Sequence, residues 1–519
     1  MLGLGIGIRV IQFPDIPAGL NQDEAGSAYE AYSLAETGQD KWGNTLPAYF
    51  PSWGSGQNVL LAYLTVPVVK VFGLSIATAR VVQLLFGILT LPLFFYCLRP
   101  LGRFPAYAGL LLLAVVPWHF MLSRWGLESN LLPFFMLLGC TVLSRALILG
   151  RRRWIVPALL PFALALYAYG TTVIVLPLFF ALVLLLFFPR IRRNAWSWLW
   201  ALGLFGIVAS PFFIYFLENY LLGHNVAWAE DLFFSTPLFP GNRLGQVAGI
   251  NRKYILWTNF QFLRSGFNDH TVYNLLPGFP LLLTFTWPVG VGALFIAAVQ
   301  TVRKKGTLTS ADIVVRVLGA WAISALPFLF LFELNVNRFN HFFLPCIALS
   351  IWLISLVLMR VRSSWVRAAI SSLVVIWIVV ESSLAIRYYF SDYNRSAIRE
   401  NFNAGLQEAF AAVARLPVSQ VRITQDMHQP YVYTLFYLQY PPAAFQKEVK
   451  MTIENGEYNV HQFGKYRFSD DYLDLNREYG YLSRKNEFPD TEKSRRQVYY
   501  ANEFWEVGII RPATESIPE

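Results

Sequence analysis

The sequence predicts a polytopic α-helical membrane protein that ends in a soluble α/β domain, and three observations carry that reading. Of 519 residues, 55% are hydrophobic and only 14% charged, against roughly 25% charged in a soluble protein. Mean hydropathy is +0.43. Charge is also uneven, because residues 391–519 hold 33 of the 74 Asp, Glu, Lys and Arg residues. An ordinary cytosolic enzyme is excluded. The chain divides into a membrane part, residues 1–390, and a soluble part, residues 391–519.

Ten apolar runs are long enough to cross a bilayer core, which takes about 20 helical residues. They lie near 76–98, 104–122, 130–149, 154–170, 171–188, 196–216, 279–300, 312–332, 341–359 and 366–389. The unbroken apolar stretch Trp154 to Phe188 suits two short helices joined at Tyr169-Gly170-Thr171. Met1 to Phe13 is too short to span and reads as the end of a truncated first span. Asn58 to Gly73 contains Pro67 and Lys70 and is flanked by Trp53, Tyr63 and Phe72, so it reads as a helix lying in the outer interface or dipping in from it. An ordinary span is the alternative. In the soluble part, Asn401 to Ala414 has an amphipathic helical pattern, and Val421 to Thr424 and Gln497 to Ile510 are strand-like.

Five basic clusters fix the sidedness: Arg99 and Arg103; Arg145 with Arg151 to Arg153; Arg190, Arg192 and Arg193; Arg303, Lys304 and Lys305; Arg360, Arg362 and Arg367. They hold 15 of the 27 basic residues of the membrane part and no acid, which assigns them to the cytoplasm. The segment before residue 76, the loop after Met121, the loop from about 217 to 278, the Asn335 to Asn340 loop and the C-terminal domain then face outward. The net charge of +10 belongs to the membrane part, because the soluble part has 15 basic and 18 acidic residues. A nucleic-acid partner is not implied. Cys97, Cys140 and Cys346 all lie in apolar runs, which points to no disulfide framework and no thiolate metal site.

Candidate chemistry collects on the outer side. Asn21 to Gly38 reads as a helix with Asn21 as N-cap, Glu24 at the capping-box position and Gly38 as the stop. Asp23 falls in the first turn, where it can act as a base toward a hydroxyl or amine; the alternative is that both acids only complement the helix start. A second group, WHFMLSRWGLESN, brings Trp118, His119, Ser123, Arg124, Gly126, Glu128 and Asn130, with Arg124 and Glu128 spaced to pair if helical. A third, NVNRFNH, holds Asn337, Arg338, Asn340 and His341. Arg338 is a cation on the side that the charge bias avoids, which suggests an anion: Glu333 or a ligand phosphate. Arg243, Arg252, Lys253, Arg264 and His270, interleaved with Trp257, Phe260, Phe262 and Phe267, suit an amphipathic segment on lipid headgroups. P-loop, GxGxxG, HExxH and GxSxG patterns are missing. Span interiors are almost free of charge, Glu381 being the clearest exception and Arg316 lying near a cytoplasmic end. That favours an enzyme over a permeation path.

The order of these features resembles the GT-C glycosyltransferases, specifically the dolichyl-phosphate-mannose protein mannosyltransferase and aminoarabinose transferase family. The resemblance rests on Asp23-Glu24, the Ala-Tyr-rich helix after them, the FG-x5-AR string at Phe72, Gly73, Ala79 and Arg80, and the SR-x3-E string at Ser123, Arg124 and Glu128. It implies a multi-pass cell-membrane enzyme, an inverting hexosyl- or pentosyltransferase, with active site and C-terminal domain extracytoplasmic. The implied partners are a polyprenyl-phosphate-linked sugar donor, membrane lipid and a glycan, lipid or protein acceptor. Asp23 matches the family's catalytic acid and Glu24 its substrate-contacting neighbour. Arg124 and Glu128 match the second outer loop, and Arg338 and His341 are candidates near the donor phosphate. The aminoarabinose transferase's Lys-Pro-Pro stretch has no clear equivalent. No metal cluster is evident, and a divalent metal is left open. The rival readings are a lipid-linked glycan transporter and a cytoplasm-facing nucleotide-sugar transferase.

Overall fold

The computed structural model describes residues 1–52, 56–229, 232–239, 251–303, 306–454, 457–485, 487 and 495–512. Trp53, Arg243, Lys304 and Lys305 lie outside the described residues. Among the described residues, seven helices are long and apolar enough to cross a membrane: Ile76–Leu101, Glu128–Leu149, Thr172–Arg193, Ala195–Leu222, Ser310–Leu331, Asn340–Arg360 and Ser364–Arg395. They correspond to seven of the ten expected spans. The other three are shorter or broken.

The breaks have local causes. The run 104–122 splits into Arg103–Val115 and Pro117–Leu122, with Val116 extended between them, because Pro117 has no N–H to continue the ladder. The run 154–170 is divided into Arg152–Ile155, a 3₁₀ turn Val156–Leu159 and Leu160–Ala168. The third begins at Thr286 rather than 279 and is described as far as Arg303. Leu60–Phe72 is a helix of 13 residues containing Pro67, about 20 Å at 1.5 Å per residue and short of a bilayer core of about 30 Å.

The chain forms two compact units. One comprises Met1–Phe13, Gln83–Phe213 and Leu244–Tyr393; the other Pro14–Val82, Ile214–Arg243 and Asn394–Glu519. In the first, helix Thr286–Arg303 approaches Asn340–Arg360 so closely at Gly290 that a Cβ there would sit 2.4 Å from Cys346 Sγ. Glu381, the acid expected to be exceptional, accepts hydrogen bonds from Thr284 N and Oγ1 and from Trp377 Nε1. A carboxylate inside an apolar helix is thereby supplied with donors. Helix Arg252–Arg264 exposes Tyr254, Trp257 and Phe260. All three cysteines are free and buried.

The second unit contains helices Gln22–Thr37 and Leu60–Phe72 and a seven-stranded sheet. Its strands are β1 (Val421–Ile423), β2 (Lys450–Glu454), β3 (Glu457–Phe463), β4 (Tyr466–Arg467), β5 (Tyr479–Arg484), β6 (Arg496–Ala501) and β7 (Trp505–Ile510). The order is β2-β3-β4-β1-β5-β7-β6. β1 runs parallel to both neighbours, with Val421 opposite Tyr466 and Gly480, and the other pairs are antiparallel. The strand-like run 497–510 is thus two strands, and the amphipathic run 401–414 is helical from Leu406 to Ala414. β7 is buried throughout and β2 exposed throughout, as expected of an interior and an edge strand.

A loop after the first helix of this unit is pinned by buried charge. Glu30 accepts from Lys41 Nζ and, at 2.9 Å, from Lys41 N. Asp40 accepts from Trp42 N, Asn44 N and Asn44 Nδ2, and Trp42 stacks on Tyr458 with ring centres 5.0 Å apart. Burial, and then the Glu30 charge, push the Asp40 carboxyl up to about 7. The folded chain therefore keeps this proton across a window, from about 4 to about 7, in which the unfolded chain has released it. Stability should fall as pH rises through that window, by at most about 1.4 kcal/mol per pH unit from this group. Thermal melts of Asp40→Asn against wild type should show the slope reduced; an unchanged slope assigns it to other groups.

Candidate functional site

Helix Gln22–Thr37 begins as its sequence dictates. Asn21 Oδ1 accepts from Glu24 N at 2.9 Å, the Glu24 carboxylate returns to Asn21 N, and Gly38 ends the helix in the left-handed region at φ 73°. The adjacent acids then part company. Glu24 is 1% exposed, and its two oxygens are gripped by Arg80 Nε and Nη2, both at 2.8 Å. The remaining Arg80 donors go to the carbonyls of Pro14, Pro17 and Gly19, each at 2.7 Å, so all five N–H groups are placed. Phe402 covers the guanidinium at 5.8 Å. Glu24, expected to contact substrate, is thus buried and paired with Arg80. Asp23 stays partly exposed in the first turn, with its backbone carbonyl taking a hydrogen bond from Gln57 Nε2.

Arg124 and His341 are buried as well. Arg124 is 0% exposed and donates to the carbonyls of Ile8, Arg9 and Gln12, at the end of helix Leu2–Val10 where backbone acceptors lack partners. Tyr389 and Phe390 lie against it. The spacing expected to pair Arg124 with Glu128 is not helical, since the helix stops at Leu122 and Glu128 opens a 3₁₀ turn. His341 is 0% exposed, and its Nδ1 accepts from Trp321 Nε1 at 3.3 Å.

Arg9 completes this arrangement. Its guanidinium donates to Gly5 O, Leu113 O, Ala114 O, Ser123 Oγ and His119 Nδ1. Leu113 and Ala114 precede the Pro117 break, so the side chain supplies donors that the helix cannot. Because the arginine is always charged, His119 Nδ1 is the acceptor and its proton sits on Nε2. Nearby, Gly87 meets Ser123 so closely that a Cβ would lie 2.3 Å from Ser123 Oγ.

Two of the sequence groups do meet. Trp118 Nε1 donates to Asn340 Oδ1 at 3.0 Å, and Asn340 Nδ2 donates to Ser129 O. Trp118 and Asn340 border a small gap with Trp125, Asn130, Asn274 and Asn337. Asp269 ties the loop in, accepting from Asn274 Nδ2 and Val336 N. Arg338 is partly exposed; its Nη1 donates to the backbone carbonyl of Glu333 at 2.6 Å. Among the described residues it forms no ion pair, so the expected Glu333 carboxylate is not its partner. Asp23 and Glu24 belong to one unit, and Arg124, Glu128, Arg338 and His341 to the other.

Residues 57–215 match the family model for dolichyl-phosphate-mannose-protein mannosyltransferase. A crystal structure of ArnT from Cupriavidus metallidurans bound to undecaprenyl phosphate aligns over 100% of this chain and 98% of its own, with 14% identity and a TM-score of 0.59. The chain shares its GT-C fold with that ArnT. The apo form of that ArnT matches over 100% and 97%, with 13% identity and a TM-score of 0.56. The archaeal oligosaccharyltransferase AglB from Archaeoglobus fulgidus, in complex with an inhibitory peptide and a dolichol-phosphate, matches over 84% of this chain and 62% of its own, with 13% identity and a TM-score of 0.48. No curated protein sequence matches.

Within this GT-C fold, the stretch matched by the family model includes Arg80, a residue that carried the FG-x5-AR resemblance but was not singled out as functional. Its signal was a guanidinium inside an apolar run, which must find an anion or carbonyls. Among the described residues no group of three or more His, Cys, Asp or Glu side chains could hold a metal ion. Removing Arg80 should strand Glu24 as an uncompensated buried charge. Arg80→Met is expected to lose about 3–5 kcal/mol, read as a lowered Tm in detergent. Arg80→Lys should fall between it and wild type, because one ammonium cannot fill five donor positions.

Proposed function

We propose that the protein transfers a sugar from a polyprenyl-phosphate donor to a glycan, lipid or protein acceptor on the extracytoplasmic face, with inversion at the anomeric carbon. The observation that carries this reading is the division of labour at 23–24: Arg80 locks Glu24, and Asp23 sits beside it at a capped helix start, partly exposed. Asp23 accepts the proton of the attacking hydroxyl or amine. The nucleophile bonds to the anomeric carbon as the bond from that carbon to the phosphate oxygen breaks, its electron pair leaving with the lipid phosphate. Growing charge on that leaving group needs a fixed cation. Arg338, engaged by one carbonyl and by no carboxylate among the described residues, is the candidate. A single displacement of this kind inverts the centre. The ArnT structure holding undecaprenyl phosphate supports the donor class, and the basic clusters support the outward-facing site.

The test is transfer by the purified chain in detergent from undecaprenyl-phosphate and dolichyl-phosphate hexoses, followed by mass spectrometry. Asp23→Asn should keep the wild-type Tm and lose at least about 100-fold in turnover, the usual worth of a positioned base. Arg338→Ala should lose about 100-fold or more through the departing phosphate. Near-normal turnover in Asp23→Asn removes it as the base. Vesicles in which lipid-linked sugar crosses the bilayer without transfer would favour the transporter reading.

A further inference from the structure

The second unit contains a cavity of about 660 Å³, inside the range of about 300–1,000 Å³ usual for ligand sites. None of the sequence candidates lines it. Part of its wall is the segment of Pro14 and Gly19, whose carbonyls Arg80 holds. The arginine that locks Glu24 beside Asp23 therefore also shapes this cavity.

Its chemistry is mixed in a particular way. Asp15, Glu408 and Glu503 supply three carboxylates against one guanidinium, Arg399. Arg399 is already paired with Glu503 at 2.9 Å and lies over Phe504. The Asp15 and Glu408 carboxylates have no hydrogen-bond partner among the described residues. On the donor side, helix Ile76–Leu98 starts here, and Ile76 and Ala77 line the cavity, their N–H groups belonging to the first turn that a helix leaves without partners of its own. Tyr437 forms another part of the wall, and its hydroxyl is shielded from solvent without a hydrogen-bond partner among the described residues.

A phosphate offers acceptors only and would face a net negative set of side chains; a cation would face the positive end of a helix. A hydroxyl-rich ring satisfies both sets, because each hydroxyl donates once and accepts twice. Tyr500 and Phe504 add apolar surface for its carbon face. We propose that this cavity binds a neutral sugar ring, the saccharide portion of the acceptor. Its acceptor role rests on the sugar-transfer reading; the binding does not.

Saturation-transfer NMR on the full chain in detergent tests it, with mannose, glucose, galactose and N-acetylglucosamine disaccharides as probes and inorganic phosphate as competitor. Transfer to at least one probe is expected, undisturbed by phosphate. It should drop about tenfold in the Asp15→Asn, Glu408→Gln double variant, the scale of losing a charge-assisted hydrogen bond. Both side chains are exposed, so the Tm should not move. Hydrolysis of the lipid-phosphate sugar by water should be unchanged in that variant. No transfer to any probe, equal transfer by the variant, or displacement by phosphate overturns the site. Loss of donor hydrolysis in wild type would instead count against the transferase reading.

Discussion

The Arg80 guanidinium is the constraint on which the proposed site depends. A buried arginine cannot shed its proton, so the chain must bring it acceptors, and here it brings five contacts to one point: the Glu24 carboxylate and the backbone of Pro14, Pro17 and Gly19. The fork geometry fixes the start of helix Gln22–Thr37 in rotation as well as in position. Whatever Asp23 does, it does from a backbone that this contact holds still.

Arg9 shows the same physics at a different task. Its five donors go to carbonyls and neutral side-chain atoms, where a proline has interrupted a helix. Arg124 likewise spends its donors on the end of helix Leu2–Val10. Both are charges recruited to backbone that lacks partners in a medium short of water. Arg338, with one carbonyl and a partly exposed guanidinium, is a cation of another sort. Residue type alone does not distinguish these arginines; the number of carbonyls each one serves does.

Much of the fold was legible because membrane helices announce themselves by composition. The capping box at Asn21 and Glu24 was legible too, since its partners are three residues apart. The pairing of Glu24 with Arg80 was not, because 56 residues separate them and no local period links them. The same holds for His341, whose burial against Trp321 depends on how two helices meet. The run 104–122 reads as one helix in spite of Pro117, because a proline inside an apolar run can bend a helix or end it, and the extended Val116 is a tertiary outcome supported by Arg9. The strand-like run 497–510 hid a turn at Asn502, whose side chain accepts from Phe504 N and Trp505 N.

The burial of Cys97, Cys140 and Cys346 has a practical bearing. Water-soluble maleimides find no native thiol at the surface, so a single reporter thiol engineered into any loop would be read against a quiet background. Spin labels, fluorophores and crosslinkers can then be placed one at a time without first building a cysteine-free parent, and the native sulfur atoms stay in the packing they already serve.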